Sequence, residues 1–279
     1  MIRYKREESI GSRCDFLRFF IYHIFLQTNN GKGTGGCVRS FCFGTGENMD
    51  KHDIIYFLKD NIATDELKYS LRSVAVNFYH ADVWFVGGQP GKFVPDHRMA
   101  VKQNAVTKWE NVRNMMLQVC ENDDISEDFW LFNDDFFIIK PWSSETALYN
   151  GTLEQHIQHV ESRHGNQQTG YTAKLRECQH ALESAGYGTL NYAIHCPMLV
   201  NRKKMSETLR RFPDCPMFRS LYGNMNAIGG EDHCDCKVVG LDRLIDSDWV
   251  STCDESFGMG RIGRYIRELF PEPSPWEKR

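Results

Sequence analysis

The chain has 279 residues, room for one large domain or two small ones, and its 41% hydrophobic and 25% charged content is that of an ordinary soluble globular protein. A formal net charge of -4 supplies no electrostatic footprint for general nucleic-acid binding. Ten cysteines scattered without a regular framework are expected to be mostly reduced thiols in a cytoplasmic setting.

The first apolar stretch, Phe16 to Leu26, carries Arg18 and His23. It is too short and too polar to span a bilayer, so no transmembrane segment is expected. A signal peptide would need a small-residue cleavage site close behind, and here Gln-Thr-Asn-Asn and the glycine-rich Gly31–Gly36 follow. Residues 1–48 are therefore read as a poorly ordered N-terminal extension and 49–279 as a single domain. Organised pattern begins just after Met49, which makes it a candidate translation start. Peptides from residues 1–48 in mass spectra of the native protein would overturn that reading.

Asp53 to Leu58 predicts a strand. Leu67, Leu71 and Val74 stand at helical spacing and predict a helix over 64–76. Asp82 to Val86 predicts a second strand, closed by Gly87-Gly88-Gln89-Pro90. Thr107 and Glu110 form a capping box that opens a helix over 107–120, with Trp109, Val112, Met116 and Val119 on one face. Residues 131–140 (Leu-Phe-Asn-Asp-Asp-Phe-Phe-Ile-Ile-Lys) predict a buried strand that opens into a tight turn and resumes. Strand, helix, strand, helix, strand favours an α/β sheet with parallel strands. Helices are expected over Thr152–Arg163 and Thr172–Ser184, a strand over Ile194–Val200 with Pro197 marking an edge or bulge, and a basic helix over Arg202–Arg211. Residues 213–236 read as a loop, Val250–Cys253 as a last strand, and Pro271–Pro275 as no regular element.

Asp134 and Asp135 are the feature most in need of explanation. Carboxylates inside an apolar run are costly unless a cation or hydrogen bonds compensate them. A divalent ion holding a phosphate-bearing substrate is one reason to place two of them at a strand end. Asn133 and Asp134 also suit a plain hairpin turn. Ligands of such sheets sit at the carboxyl ends of strands. The turns after Leu58, after Val86 and at Asn133-Asp134-Asp135 should therefore converge on one cleft.

Several segments together resemble the Stealth proteins, bacterial capsular-polysaccharide sugar-phosphate transferases related to the catalytic subunit of the lysosomal-enzyme N-acetylglucosamine-1-phosphotransferase. Asp53-Ile-Ile-Tyr56 looks like that family's opening strand. Asp65-Glu-Leu-Lys-Tyr-Ser-Leu-Arg-Ser73 is similar to its D/N-E-L-R-Y-S-L-R-S helix, the most specific match. Trp130 to Phe137 looks like its N-D-D segment, and His195-Cys-Pro-Met-Leu-Val-Asn-Arg202 is similar to its H-x-P-x-x-[IV]-[DN]-R segment. Phe218 to Asn224 and Thr252-Cys-Asp254 stand where the family has its last two clusters. The order is kept from Asp53 to about Asp254. Phe57-Leu-Lys-Asp60 replaces the family's usual W-V-D-G, and Gly223-Asn224-Met225 stands in place of a His-Arg-Phe-Arg cluster.

The resemblance implies a glycosyltransferase fold of the A type, a Rossmann-like α/β architecture with a mostly parallel sheet flanked by helices and a helical insertion in the second half. It further implies a nucleotide-sugar donor, a glycan acceptor, and Mg²⁺ or Mn²⁺ on Asp134 and Asp135. Residues 49–279 would be the catalytic domain. The implied reaction moves a sugar-1-phosphate from a UDP-sugar to an acceptor hydroxyl, with His195 as base. Asp135 and Arg219 would share the catalytic work. Arg72 and Arg219 would hold phosphates, since a guanidinium binds two oxygens in parallel. Asp53, Glu66, Asn133, Asn224 and Asp254 complete the implied substrate contacts. Each has a structural alternative: a core histidine for His195, an exposed helix charge for Arg72, a helix-dipole partner for Glu66. Asp232-His-Cys-Asp-Cys236 lacks the second ligand pair of structural zinc sites, and Asp232 or His233 closing the active site is the better reading. His156, His159, His164 and His180 read as solvated surface residues.

Two other functions stay open on sequence alone. An ordinary glycosyltransferase, with a glycan or a modified nucleic-acid base as acceptor, would attack the anomeric carbon and release UDP instead of UMP. A non-catalytic carbohydrate-binding protein would release neither. The donor sugar, the acceptor and the oligomeric state are not written in the sequence.

Overall fold

The computed structural model of the chain describes residues 51–60, 64–142 and 144–278, and the expected extension over 1–48 and the candidate start at Met49 lie outside them. The first half runs β1 (Asp53–Leu58), α1 (Thr64–Asn77), β2 (Val83–Gly87), β3 (His97–Met99), α2 (Lys108–Glu121), β4 (Asp128–Asn133), β5 (Phe136–Ile138) and β6 (Leu148–Tyr149). The second half runs α3 (Leu153–Arg163), α4 (Gly170–Ser184), β7 (Met198–Asn201), α5 (Arg202–Arg211), α6 (Phe218–Met225), β8 (Glu231–Asp232), β9 (Trp249–Ser251), α7 (Asp254–Gly258) and α8 (Arg261–Leu269).

The main sheet has the order β3-β2-β1-β4-β7; β1 pairs in parallel with β2 and β4, β2 in parallel with β3, and β7 lies antiparallel on β4. The fold is thus the expected mixed α/β type with a mostly parallel sheet. Successive residues of a strand point to opposite faces. Ile54, Tyr56 and Leu58 accordingly pack with Leu67, Leu71 and Val74 of α1. Ile55 and Phe57 pack with Met115, Met116 and Val119 of α2 and with residues of α5 and α6. Helices on both faces explain why β1 and β2 are buried throughout instead of alternating. The α3–α4 pair is the helical insertion, with its own core around Leu153, Ile157, Leu175 and Leu182.

Local signals place the helix starts. The Thr107 hydroxyl accepts the Glu110 N–H at 3.2 Å while the Glu110 carboxylate accepts the Thr107 N–H at 2.9 Å. Thr152 and Gln155 repeat this box at α3. Helix α4 begins at Gly170, earlier than expected, because Thr169 caps it and Thr172 serves as the third residue of the box. Pro197 has no N–H to give a ladder, and β7 starts just after it, at the sheet's edge.

Three features differ from expectation. The strand resumes as β5 after the turn, as expected, but it does not fold back on β4 as the plain-hairpin alternative would; it pairs antiparallel with β9. Residues 213–236, read as a loop, contain α6. Phe218, Leu221, Tyr222 and Met225 of α6 do stand at helical spacing, but the glycine, asparagines and prolines in and around so short a segment read as loop. Helices α7 and α8 follow β9 unanticipated, with Phe257, Ile262 and Ile266 closing a small core on Phe137.

Gly223 disguises α6 further. A Cβ there would stand 2.3 Å from Cδ2 of Tyr192, whose hydroxyl is tied to the Gly229 carbonyl at 2.8 Å. Alanine gains about 1 kcal/mol of helix propensity but overpacking costs about 1–3 kcal/mol. Gly223→Ala is expected to destabilise by about 1 kcal/mol net, read as a lower urea midpoint; a higher midpoint would show that Tyr192 yields freely.

Candidate active site

β1 is followed by β2 and β3 to one side and then by β4 on the other. The strand order therefore reverses between β1 and β4. In open α/β sheets ligands bind outside the carboxyl ends of the strands at such a switch point. Asn133, the last residue of β4, pairs beside Phe57, and Asp134 and Asp135 follow it directly. Gly87 ends β2 on the same edge, in register with Leu58. The three turns expected to converge thus share one end of the sheet, with Glu66 in the first turn of α1.

Asp135 sits between two donors. Lys237 Nζ reaches its Oδ2 at 3.0 Å, and the Ser251 hydroxyl donates to the same oxygen at 2.9 Å. Its Oδ1 is buried without a partner among the described residues. β9 brings Ser251 there, because Phe136 and Ser251 are paired across the small β5–β9 sheet. The next residue, Thr252, donates its N–H to the Asp135 carbonyl at 3.3 Å and its hydroxyl to the Glu66 carboxylate. Burial pushes Asp134 up to about 7, with the charges of Asp135 and Glu66 adding to it. Burial also raises Glu66, and Asp135 and Asp254 contribute.

The Asp134 shift has a stability consequence. Its ordinary value is 3.8, so between about pH 4 and 7 the folded chain holds a proton that the unfolded chain has lost. Stability then falls as pH rises through that window, by up to about 1.4 kcal/mol per pH unit. Without added metal, Asp134→Asn is expected to raise Tm by about 5 °C or more at pH 8 and by little at pH 4.5. A lower Tm at pH 8 would show that the Asp134 charge is compensated in the free protein.

His195 lies just before β7. Its Nδ1 is 2.8 Å from Asp235 Oδ2, and its backbone N–H donates to Asp235 Oδ1 at 3.1 Å. A carboxylate only accepts, so this contact keeps the proton on Nδ1 and leaves Nε2 as the basic nitrogen. Burial works to raise Asp235, but the hydrogen bond and charge of His195, with backbone N–H groups, hold it below its ordinary range. The Lys237 N–H also donates to Asp235 Oδ1, at 3.2 Å. Asp235 and Lys237 are two apart and flank the buried Cys236. One short segment therefore serves both His195 and Asp135.

Arg219, on α6, supports the same region. Its Nη1 donates to the carbonyls of Ile194 and Cys196, on either side of His195, at 3.1 and 2.9 Å. Its Nη2 is buried without a nitrogen or oxygen partner among the described residues, and the guanidinium also meets the Cys196 thiol. Burial lowers its affinity for the proton, while the nearby Cys196, Asp135 and Asp235 act the other way.

The structure gathers Asn133, Asp134, Asp135, Glu66, His195 and Arg219 in this region. It does not bring Asp53, Arg72 or Asn224 into it. Asp53 opens β1 at the opposite end of the strand, and its carboxylate accepts the N–H groups of Asp82 and Ser126 at 3.2 and 2.9 Å. Arg72 binds Glu277 at 2.7 and 2.9 Å and the carbonyls of Phe270 and Pro271. The Asn224 amide is spent on Leu190 and Ser220. Asp254 is exposed at the start of α7, close enough to Glu66 to affect its charge. His156 is not the solvated residue expected: it is half-buried 3.3 Å from the Tyr171 hydroxyl, and burial lowers its pKa.

Asp235 and Lys237 were not anticipated as site residues. The segment was suspected of closing the site through Asp232 or His233. Instead Asp232 accepts the Gly151 N–H at 3.1 Å, and the His233 ring lies against Trp249. The available signal was the spacing: in extended chain, residues two apart share a face.

Among the described residues no three His, Cys, Asp or Glu side chains converge as a ready-made metal cage. Mg²⁺ and Mn²⁺ do not require one when substrate phosphates and water supply the remaining oxygens. The orphaned Asp135 Oδ1 and the mutually repelling Asp134, Asp135 and Glu66 fit a site that gains from a divalent cation.

No family model matches this chain. No curated protein matches it. Similar solved structures include the galactosyltransferase LgtC in complex with donor and acceptor sugar analogues. That match is 14% identical and covers 62% of this chain and 71% of LgtC, with a TM-score of 0.34. Another is the apo-form glycosyltransferase GlyE of Streptococcus pneumoniae TIGR4, 9% identical over 80% of this chain and 52% of GlyE, with a TM-score of 0.33. The chain thus spans about half of GlyE. At these TM-scores the likeness carries no argument about substrate or mechanism. Among the described residues no helix is long and apolar enough to cross a membrane, and all seven described cysteines are free.

Proposed function

We infer that this chain is a transferase that moves a sugar-1-phosphate from a UDP-sugar to a hydroxyl of a glycan. The observation that supports this most is the Asp235-Cys236-Lys237 segment, which joins the His195 base to the Asp134–Asp135 carboxylates at the sheet's switch point. The segments of sequence that resemble the Stealth proteins include the aspartate pair and His195.

His195 Nε2 takes the proton of the acceptor hydroxyl while Asp235 holds Nδ1–H and fixes the ring. The acceptor oxygen forms a bond to the β-phosphorus, the bond from that phosphorus to the bridging oxygen breaks, and UMP leaves with the electron pair. Arg219 holds the backbone on either side of His195 and offers Nη2, which has no nitrogen or oxygen partner among the described residues, to a phosphate oxygen. Glu66, Asn133 and Asp254 border the donor side. Asp134 and Asp135 would hold Mg²⁺ or Mn²⁺, which when bound supplies neutralisation of the diphosphate charge. The free cysteines support a cytoplasmic setting.

The test is the nucleotide released. UDP-sugars are incubated with the full chain, Mn²⁺ and glycan acceptors, and the products are separated by anion-exchange chromatography. UMP is the expected product. UDP would make the chain an ordinary glycosyltransferase, and binding without either nucleotide would make it a carbohydrate-binding protein.

A further inference from the structure

Lys237 has no part in the proton transfer described above, yet among the described residues it makes the only ion pair of the Asp134–Asp135 carboxylates. Its Nζ stands 3.0 Å from Asp135 Oδ2, where the Ser251 hydroxyl also donates. The two side chains are 27% and 15% exposed, so the ammonium is neither sealed in nor free in water. It also lies close enough to Asp134 and Glu66 to relieve their mutual repulsion. A lysine ammonium is a compact charge on a flexible stem, able to leave one oxygen for another by side-chain rotation. Its backbone is held independently, by the bridge to Ser251 and the N–H bond to Asp235, so rotation need not disturb the segment.

We propose that Lys237 is a displaceable counter-cation: it neutralises Asp135 while the cleft is empty and passes to a phosphate oxygen of the donor when a divalent cation takes Asp135. This deepens the donor-cleft reading and rests on it. An ammonium and a divalent cation repel each other at one carboxylate, so Lys237 opposes cation binding to the free protein. Once a diphosphate is present both charges have partners, and the opposition becomes support. The device makes cation and donor bind together and keeps Asp135 neutralised while the cleft is empty.

The experiment is calorimetric titration of the full chain with Mn²⁺ alone, and with UDP in the presence of Mn²⁺, for the unchanged protein, Lys237→Met and Lys237→Arg. In Lys237→Met, Mn²⁺ alone is expected to bind about tenfold tighter and UDP about tenfold weaker, each corresponding to about 1.4 kcal/mol. Lys237→Arg keeps the charge and should restore both affinities toward those of the unchanged chain, which separates the charge from any damage to folding. Unchanged or weaker Mn²⁺ binding in Lys237→Met, with UDP still bound by the unchanged chain, overturns the counter-cation and leaves the donor cleft standing. Failure of the unchanged chain to bind UDP with Mn²⁺ overturns both.

Discussion

Replacing His195 by alanine is expected to lower donor turnover by about 10²- to 10⁴-fold, with donor affinity nearly unchanged. The magnitude is that of a positioned general base, and the split between turnover and affinity is what distinguishes one from a structural core residue. A packing histidine would instead lower stability, and its loss would affect binding and turnover together. Asp235→Asn should follow in the same direction. It leaves the ring without a carboxylate on Nδ1–H, so neither the tautomer nor the orientation is enforced. The measurement is kcat and KM from UMP release beside a direct Kd for the donor. Full turnover in His195→Ala would remove the histidine from the chemistry.

Breaking the Arg72–Glu277 pair is expected to cost about 3–5 kcal/mol of stability. Both partners are mostly buried, at 7% and 14% exposure, and Arg72 also carries the carbonyls of Phe270 and Pro271. Glu277→Ala would strand a buried guanidinium, and Arg72→Ala would leave two carbonyls without their donor and the Glu277 carboxylate with only the Ser274 N–H and hydroxyl. Replacing both with Met should recover much of the loss, because a buried ion pair is worth little more than well-packed apolar groups. Denaturant unfolding reads the stability. At temperatures where the variants stay folded, UDP-sugar affinity should be unchanged. Weakened donor binding at full stability would instead restore Arg72 to the phosphate role the sequence suggested.

These two predictions fall on opposite sides of what could be read from the chain. Arg72 sits inside the segment with the most specific resemblance, and nothing local shows that its partner lies 205 residues away in the tail. His195 was readable as a candidate from its own segment, but its carboxylate is 40 residues on, in a stretch whose His-Cys-Asp-Cys composition drew attention to the wrong side chains. Helix α6 stayed hidden for a related reason. Its apolar residues Phe218, Leu221, Tyr222 and Met225 recur at helical spacing, but the glycine, asparagines and prolines in and around them drew the loop reading.

The sequence by itself determined the alternation of strands and helices in the first half, the boxes that open α2 and α3, and the place of Asp134 and Asp135 at the end of a buried strand. These are local properties: backbone preference, side-chain period and capping act over a few residues. Only the tertiary structure decided that β1 and β4 flank the switch point, that β5 leaves β4 for β9, and that Lys237 faces Asp135 from 102 residues away. Charge pairing and hydrogen bonding act over about 3 Å and are indifferent to sequence distance, so no local pattern encodes which partners meet.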